Sequence, residues 1–446
     1  MTTTTSGTIA RQLIGREFSA GSGAVDEVFD PATGEVIATV CHSTAAEVDA
    51  AVRAAAGAFP AWADTPVPDR AEYMFRYKTI LEAHVEELAA LVVQENGKTL
   101  AEARGEVRRG IEVVALACGA PTLLLGGAID QIANGIDEEM VRFPVGVVAG
   151  ICPFNFPFMV PLWMLPLALV AGNTFVLKPS PRTPLSAVRE IELLMQTGLP
   201  EGVVNIVHGD REPVEALLTH PLVDAVSFVG SASVARHIYA TAASAGKRVQ
   251  ALGGAKNHLI VMEDADLDQT VPAVLGSAFG NAGQRCLAGS VVVAVGSAGD
   301  RLVDALGTAA AALRQGPGTD PTCQLGPVIR SARVDELSAA IAEGERAGAT
   351  LLLDGRERTT PRGYFLGATL FDHVSEDMAL WRNELFGPVL SVVRADDLDE
   401  ALGHLNASRY GNAASIFTRS GGAARTFKRR AEAGMLGVNV GVAAPM

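Results

Sequence analysis

The sequence predicts an α/β protein built on two parallel sheets. Between Val145 and Leu252, short apolar runs of β type alternate with helical stretches of about 10–15 residues. The same alternation returns between Leu259 and Val440. Gly253-Gly254 stands between the two series and marks a junction. Strands separated by helices of that length imply βαβ units and parallel pairing.

The segment before about residue 60 reads as short strands with turns, among them Asp30-Pro31-Ala32-Thr33-Gly34-Glu35, followed by a helix from about Ala45. Residues 66–118 are rich in Ala, Leu and Glu at helical spacing, so two long amphipathic helices are expected, broken at Asn96-Gly97. Strands are expected at Val145–Ile151, Val170–Leu177, Val203–Val207, Ala225–Val229 and Arg248–Leu252. Helices are expected at Pro184–Gly198, 211–219 and 231–245. In the second series, strands fall at Leu259–Met262, Ser290–Val295, 389–394, 413–418 and 436–440. Its helices fall at 264–279, 300–314, 331–347, 397–406 and 421–433. Asp264, Asp266 and Asp268 suit the first turn of the earliest of these, where carboxylates meet unpaired amides and the positive end of the dipole.

The chain of 446 residues exceeds one ordinary core and is 48% hydrophobic and 19% charged, which rules out disorder. With 36 basic and 50 acidic residues the formal charge is -14, which argues against a nucleic-acid scaffold. Five scattered cysteines without a CxxC pair argue against a disulfide framework or a zinc ribbon. The polar opening Met1–Gly7 has neither signal-peptide nor transit-peptide order, so a cytoplasmic location is expected. Phe143–Leu177 carries no charge and could span a bilayer by length alone, but Pro144, Pro153, Pro157, Pro161 and Pro166 break it. Buried strands and a short helix are expected there instead.

Several motifs admit both a functional and a plain structural reading. Gly97-Lys98-Thr99 imitates the end of a P-loop, but Val92 stands where the required glycine should be, so a helix stop and restart is expected. Neither GxSxG nor HExxH occurs, and the eight histidines show no metal spacing. Phe228-Val229-Gly230-Ser231 closes a strand and opens a helix, which suits a phosphate against free N–H groups. Gly283-Gln284-Arg285-Cys286 places a thiol beside a cation, which lowers a thiol pKa. Asn155 lies inside an apolar run, either as a turn residue or as a poised donor. Glu384-Leu385-Phe386-Gly387-Pro388 precedes a strand and taken alone is a turn.

Together these pieces resemble the aldehyde dehydrogenase superfamily over nearly the whole chain. The carriers are Pro153-Phe154-Asn155-Phe156-Pro157, Lys178-Pro179-Ser180, Gly198-Leu199-Pro200-Glu201-Gly202, Phe228-Val229-Gly230-Ser231, Gly283-Gln284-Arg285-Cys286 and Glu384-Leu385-Phe386-Gly387-Pro388. Pro161-Leu162-Trp163-Met164, the run Gly246–His258 and Gly422-Ala423-Ala424-Arg425 resemble its CoA-acylating branch, which acts on malonate-type semialdehydes. Hydrolytic members carry a glutamate at the domain junction, and here that position is Ala251. Alanine cannot accept a proton from water, so the acyl-enzyme is expected to await a thiol nucleophile.

The resemblance implies two Rossmann-like α/β domains with parallel sheets plus a partial β oligomerisation element. It places an NAD-binding domain in 1–124 and 148–250, a ribbon in 125–147 and a catalytic domain in 251–440. Residues 441–446 then form a shortened end, because family members continue for several dozen residues. It further implies Cys286 as nucleophile and Asn155 as oxyanion donor. Arg109 and Arg285 would clamp the substrate carboxylate. Phe154, Lys178, Gly230, Ser231, Glu384 and Phe386 would hold NAD. CoA is the implied acyl acceptor, a carboxylated aldehyde the substrate, and a homodimer or homotetramer the assembly. No metal, nucleic acid or membrane is implied. Pro181 stands where the branch usually has a glutamate contacting the ribose, which leaves NAD against NADP open.

Overall fold

A computed structural model describes residues 7–357 and 362–441. The opening residues 1–6 and most of the expected shortened end, 442–446, lie outside the described residues.

Two seven-stranded sheets organise the chain. In the first the order is Arg248–Gly253, Ala225–Gly230, Val147–Ile151, Thr174–Lys178, Val204–Ile206, Gln12–Ile14 and Glu17–Ser19. The first five are parallel and the last two antiparallel. Side chains alternate between faces, as the pleat requires. Phe175 and Leu177 join the core under the helices Val67–Ala83, Val85–Asn96 and Leu100–Cys118, while Val176 joins the core under Ala45–Ala63. Covered on both faces, Val147–Ile151 and Thr174–Lys178 are largely apolar runs without polar alternation.

The chain leaves this sheet at Gly253 and enters the second at Asn257. The second order is Thr350–Leu353, Thr369–Asp372, Val389–Ala395, Gly289–Val295, Asn257–Val261, Ala413–Phe417 and Met435–Val438. Only the Thr350–Leu353 pairing is antiparallel. A hairpin of Gly127–Ala133 and Ile136–Met140 stands away from both sheets, with every residue exposed.

Several expectations shift. Val170 ends a helix, Met159–Val170, and the strand begins only at Thr174. Gly172, at φ +92°, makes the turn between them. The apolar periodicity could not separate a buried helix from a buried strand. Residues 66–118 form three helices, because the chain also breaks at His84. The strands Thr350–Leu353 and Thr369–Asp372 were not expected. Gly97, at φ +88°, stops one helix, and Thr99 caps the next in a capping box with Glu102.

No helix among the described residues is long and apolar enough to cross a membrane.

Candidate active site

In the first sheet the chain runs outward from Val147–Ile151 in one direction and then returns to build Ala225–Gly230 on its other side. Ligands of open α/β sheets bind outside the carboxyl ends of strands at such a switch point. A cleft of 1990 Å³ opens there, between the two sheets. Cys152–Asn155, Lys178, Gly230 and Ser231 reach it from strand ends of the first sheet. Cys286, Glu384 and Phe386 reach it from the second.

Pro153 and Pro157 keep the chain after Ile151 from continuing as strand or helix. Asn155 is 4% exposed, and its amide donates to the Gln284 carbonyl at 3.0 Å. Its own carbonyl accepts from Lys98 Nζ at 2.8 Å and Asn281 Nδ2 at 3.1 Å. Lys98 pairs with Glu106 at 2.5 Å, with both side chains fully buried. The other carboxylate oxygen of Glu106 accepts from the amides of Phe158 and Met159 at 3.0 and 3.2 Å. A buried charge must be paired and hydrogen-bonded, and this pair also fixes the Asn155 loop. Sequence reasoning saw only a helix break at Gly97-Lys98-Thr99. The available signal was Lys98 and Glu106 near the apolar face of a helix.

The cysteine loop departs from ordinary backbone. Asn281, Ala282 and Gly283 have φ of 52°, 51° and 69°. A Cβ on Gly283 would sit 2.1 Å from the Gly387 carbonyl oxygen, so this close approach of two loops requires glycine. Glu102 accepts from the Asn281 amide at 2.6 Å, and the amides of Asn257 and Asn412 each donate to the Cys286 carbonyl at 2.9 Å.

The thiol itself is half-buried. Burial pushes its pKa up, and the Glu384 carboxylate adds to this. Arg285 and backbone amides act downward but do not prevail, so the expected lowering by Arg285 is corrected to a net rise. Loss of hydration outweighs one neighbouring cation. Arg285 donates to the Gly276 carbonyl at 3.2 Å and feels Glu102. Arg109 pairs with Glu112 at 3.1 Å on the exposed helix surface. Neither arginine is part of the cleft lining.

Lys178 donates to the carbonyls of Pro179 and Gly209, each at 2.9 Å, and burial lowers its pKa to about 8. Ser231 precedes the helix Ala232–Ser244 without capping it. Glu384 accepts from the Ala255 amide at 3.1 Å, and burial raises its carboxyl to about 7. Phe386, at φ 52°, meets Phe154 edge-on with centroids 5.9 Å apart. Ala251 lies opposite Phe228 and lines the cleft without an ionisable group. A residue not foreseen is Lys256, which is 2% exposed, has no hydrogen-bond partner for Nζ and has its pKa lowered by burial to about 7. No cluster able to hold a metal ion occurs among the described residues.

A cysteine in a cleft between two parallel sheets, with an amide donor beside it, defines the class. The chain belongs to the aldehyde dehydrogenase family, whose model matches residues 18–446. It is 51% identical to a malonate-semialdehyde dehydrogenase of Oceanobacillus iheyensis over 97% of this chain and 89% of the relative. A Geobacillus kaustophilus malonate-semialdehyde dehydrogenase is 54% identical over 98% of this chain and 90% of its own length. Among solved structures, a Sinorhizobium meliloti protein assigned as methylmalonate-semialdehyde dehydrogenase, complexed with NAD, matches with TM-score 0.97 and 43% identity. That match covers 100% of this chain and 91% of the other. The methylmalonate-semialdehyde dehydrogenase of Oceanimonas doudoroffii matches with TM-score 0.96 and 47% identity, over 99% of this chain and 91% of that one. The fold expected from the resemblance is therefore the fold observed.

Proposed function

We propose that this enzyme oxidises malonate semialdehyde or methylmalonate semialdehyde with NAD and passes the acyl group to CoA. The observation carrying the CoA step is Ala251 in the cleft wall, at the position where hydrolytic members carry the glutamate that activates water. The names of the relatives support the substrate class.

The residues present fit the dinucleotide. The uncapped N-terminus of helix Ala232–Ser244 opens on the cleft beside Gly230 and suits a pyrophosphate. Lys178 keeps one N–H for a ribose hydroxyl. Glu384 suits the second ribose, and Phe386 with Phe154 suits the nicotinamide ring. Bound NAD supplies the acceptor for the hydride leaving the aldehyde carbon.

Cys286, as thiolate, adds to the aldehyde carbon. The second N–H of the Asn155 amide and the Cys286 backbone N–H receive the developing oxyanion. Hydride loss leaves a thioester on Cys286. The CoA thiol displaces Cys286 and yields the acyl-CoA. The β-carboxylate leaves as CO₂, its electron pair delocalised into the thioester carbonyl before a proton is taken up. To hold the substrate carboxylate, both arginines would turn into the cleft, Arg285 from the Gly276 carbonyl and Arg109 from its exposed and weak pair with Glu112. The hairpin 127–140 would serve assembly of a homo-oligomer, its apolar residues Ile129, Ile132, Ile136 and Met140 being exposed.

A second reading is hydrolytic, with Glu384 as base. It is favoured by the carboxyl near 7 that acts directly on Cys286. One assay separates the two. Malonate semialdehyde and NAD, with and without CoA, should give acetyl-CoA and a strong CoA dependence of turnover. Equal NADH formation without CoA, and free acid as product, would establish the hydrolytic reading.

A further inference from the structure

Glu102 and Glu106 lie one turn apart on one face of the helix Leu100–Cys118, and Lys98 stands just ahead of its capping residue Thr99. These three side chains reach both loops that carry the reacting groups. Lys98, paired with Glu106, donates to the Asn155 carbonyl at 2.8 Å. Its ammonium also lies over the Phe156 ring, 4.1 Å from the centroid. One oxygen of Glu102 accepts from the backbone N–H and the hydroxyl of Thr99, each at 2.9 Å. The other accepts from the Asn281 backbone N–H at 2.6 Å, in the cysteine loop.

Asn281 closes the connection. Its side-chain amide donates to the Asn155 carbonyl at 3.1 Å and to the Gln284 carbonyl at 3.2 Å. The Asn155 amide donates to that same Gln284 carbonyl at 3.0 Å. Asn155 is thus tied at two points, its own carbonyl and its side chain, to the segment 281–284 that leads to Cys286. Lys98, Asn155 and Asn281 are all buried, and a low local dielectric strengthens such bonds. At φ of 52° and 51°, Asn281 and Ala282 occupy backbone that persists only where the surroundings hold it. The Glu102 carboxylate supplies part of that hold, from a helix packed on the first sheet.

We propose that Lys98, Glu102 and Asn281 are positioning residues that set the Asn155 amide against Cys286, so that the start of one helix fixes both loops. The proposal rests on the reading of Asn155 as oxyanion donor. It does not depend on the acyl acceptor, because NADH forms before that acceptor is used. A reacting group misplaced by about 1 Å can cost on the order of 10²-fold in rate, and a loosened donor costs part of that.

Asn281→Gly deletes the bridging amide, and glycine accepts φ of 52° without strain. Glu102→Gln keeps one acceptor oxygen where Thr99 and Asn281 engage two. Each substitution would be made alone and together with Asn155→Ala. Pre-steady-state NADH formation from malonate semialdehyde would be measured, with the KM for NAD in parallel. Alone, Asn281→Gly should slow the burst about tenfold and Glu102→Gln by a smaller factor, with the KM for NAD unchanged. On the Asn155→Ala background either substitution should cost less than about twofold, because the group it positions is gone. Losses that multiply with that of Asn155→Ala would show action on the cysteine or on the fold at large, and would overturn the proposal. An unchanged burst in both variants would overturn it as well. Glu102→Gln leaves the side chains of Asn155 and Asn281 in place, so it carries the same test if Asn281→Gly does not fold. If Asn155→Ala alone leaves the burst unchanged, the oxyanion reading fails and the proposal falls with it. In the other failures that reading stands.

Discussion

The side-chain amide of Asn155 donates to the backbone carbonyl of Gln284 at 3.0 Å, across the boundary between the two sheets. Asn155 belongs to the loop leaving the first sheet, and Gln284 lies two residues before Cys286. One N–H of the amide thus holds the cysteine loop, and the other is the donor proposed above for the oxyanion.

Asn155→Ala removes both functions. With malonate semialdehyde, kcat should fall by about 10²–10³. Pre-steady-state NADH formation should slow by a similar factor, because the affected step precedes hydride loss. An unchanged burst rate would remove Asn155 from the acylation step.

The neighbours of Cys286 act on its thiol in opposite directions. Its pKa is raised by burial and by Glu384, and lowered by Arg285. Alkylation by iodoacetamide in the absence of ligands should therefore accelerate with rising pH. Arg285→Gln removes a stabilising cation and should slow alkylation at pH 8 roughly two- to fivefold. Glu384→Gln removes a carboxylate that is ionised above about 7 and should accelerate it. Shifts of the same sign in both variants would contradict this electrostatic arrangement.

Lys256 ties stability to pH. Burial lowers its folded-state pKa from 10.5 to about 7. Between those values the unfolded chain binds more protons than the folded one, so this group's contribution to stability rises with pH across that window. Below it, the folded state bears the cost of a buried ammonium without a hydrogen-bond partner, offset only in part by the charge of Glu384. Lys256→Met should raise the apparent Tm at pH 7 by about 2–4 °C and flatten its rise toward alkaline pH. The Glu384 contribution has the opposite slope, but falls between 4.5 and about 7 and does not overlap this window. A Tm lowered at pH 7 would show that Lys256 is satisfied in the native state.

Gly283→Ala should cost stability and activity together. The new Cβ meets the Gly387 oxygen, and φ of +69° disfavours alanine. A loss of about 2 kcal/mol or more is expected in chemical denaturation. Gly307→Ala provides the contrast. That glycine lies inside the helix Ala298–Ala311 with Leu370 Cδ2 at 3.9 Å, so alanine should stabilise by about 0.5–1 kcal/mol.

The alternation of strands and helices was legible because buried parallel strands are uninterrupted apolar runs set between amphipathic helices. Val145–Ile151 and Ala225–Val229 were therefore found close to their observed bounds of Val147–Ile151 and Ala225–Gly230. Where helix and strand are equally apolar, as around Val170, composition could not decide. The cleft-lining groups Asn155, Cys286, Lys178, Gly230, Ser231, Glu384 and Phe386 were legible only through the order and spacing of short runs that together resemble one family, because each run taken alone also reads as an ordinary turn or core segment. Lys98, Glu106 and Lys256 were not, because their significance depends on burial and on partners far away in the chain.

By itself the sequence determined the family, the succession of the two sheets and the residue types that line the cleft. These follow from local periodicity and short motifs, which do not depend on distant contacts. The tertiary structure decided the balance of charges. The thiol is raised although a cation adjoins it, and Arg109 is turned to Glu112 outside the cleft lining. Desolvation and Coulomb interaction depend on distance through space, and the spacing of residues along the chain does not fix that distance.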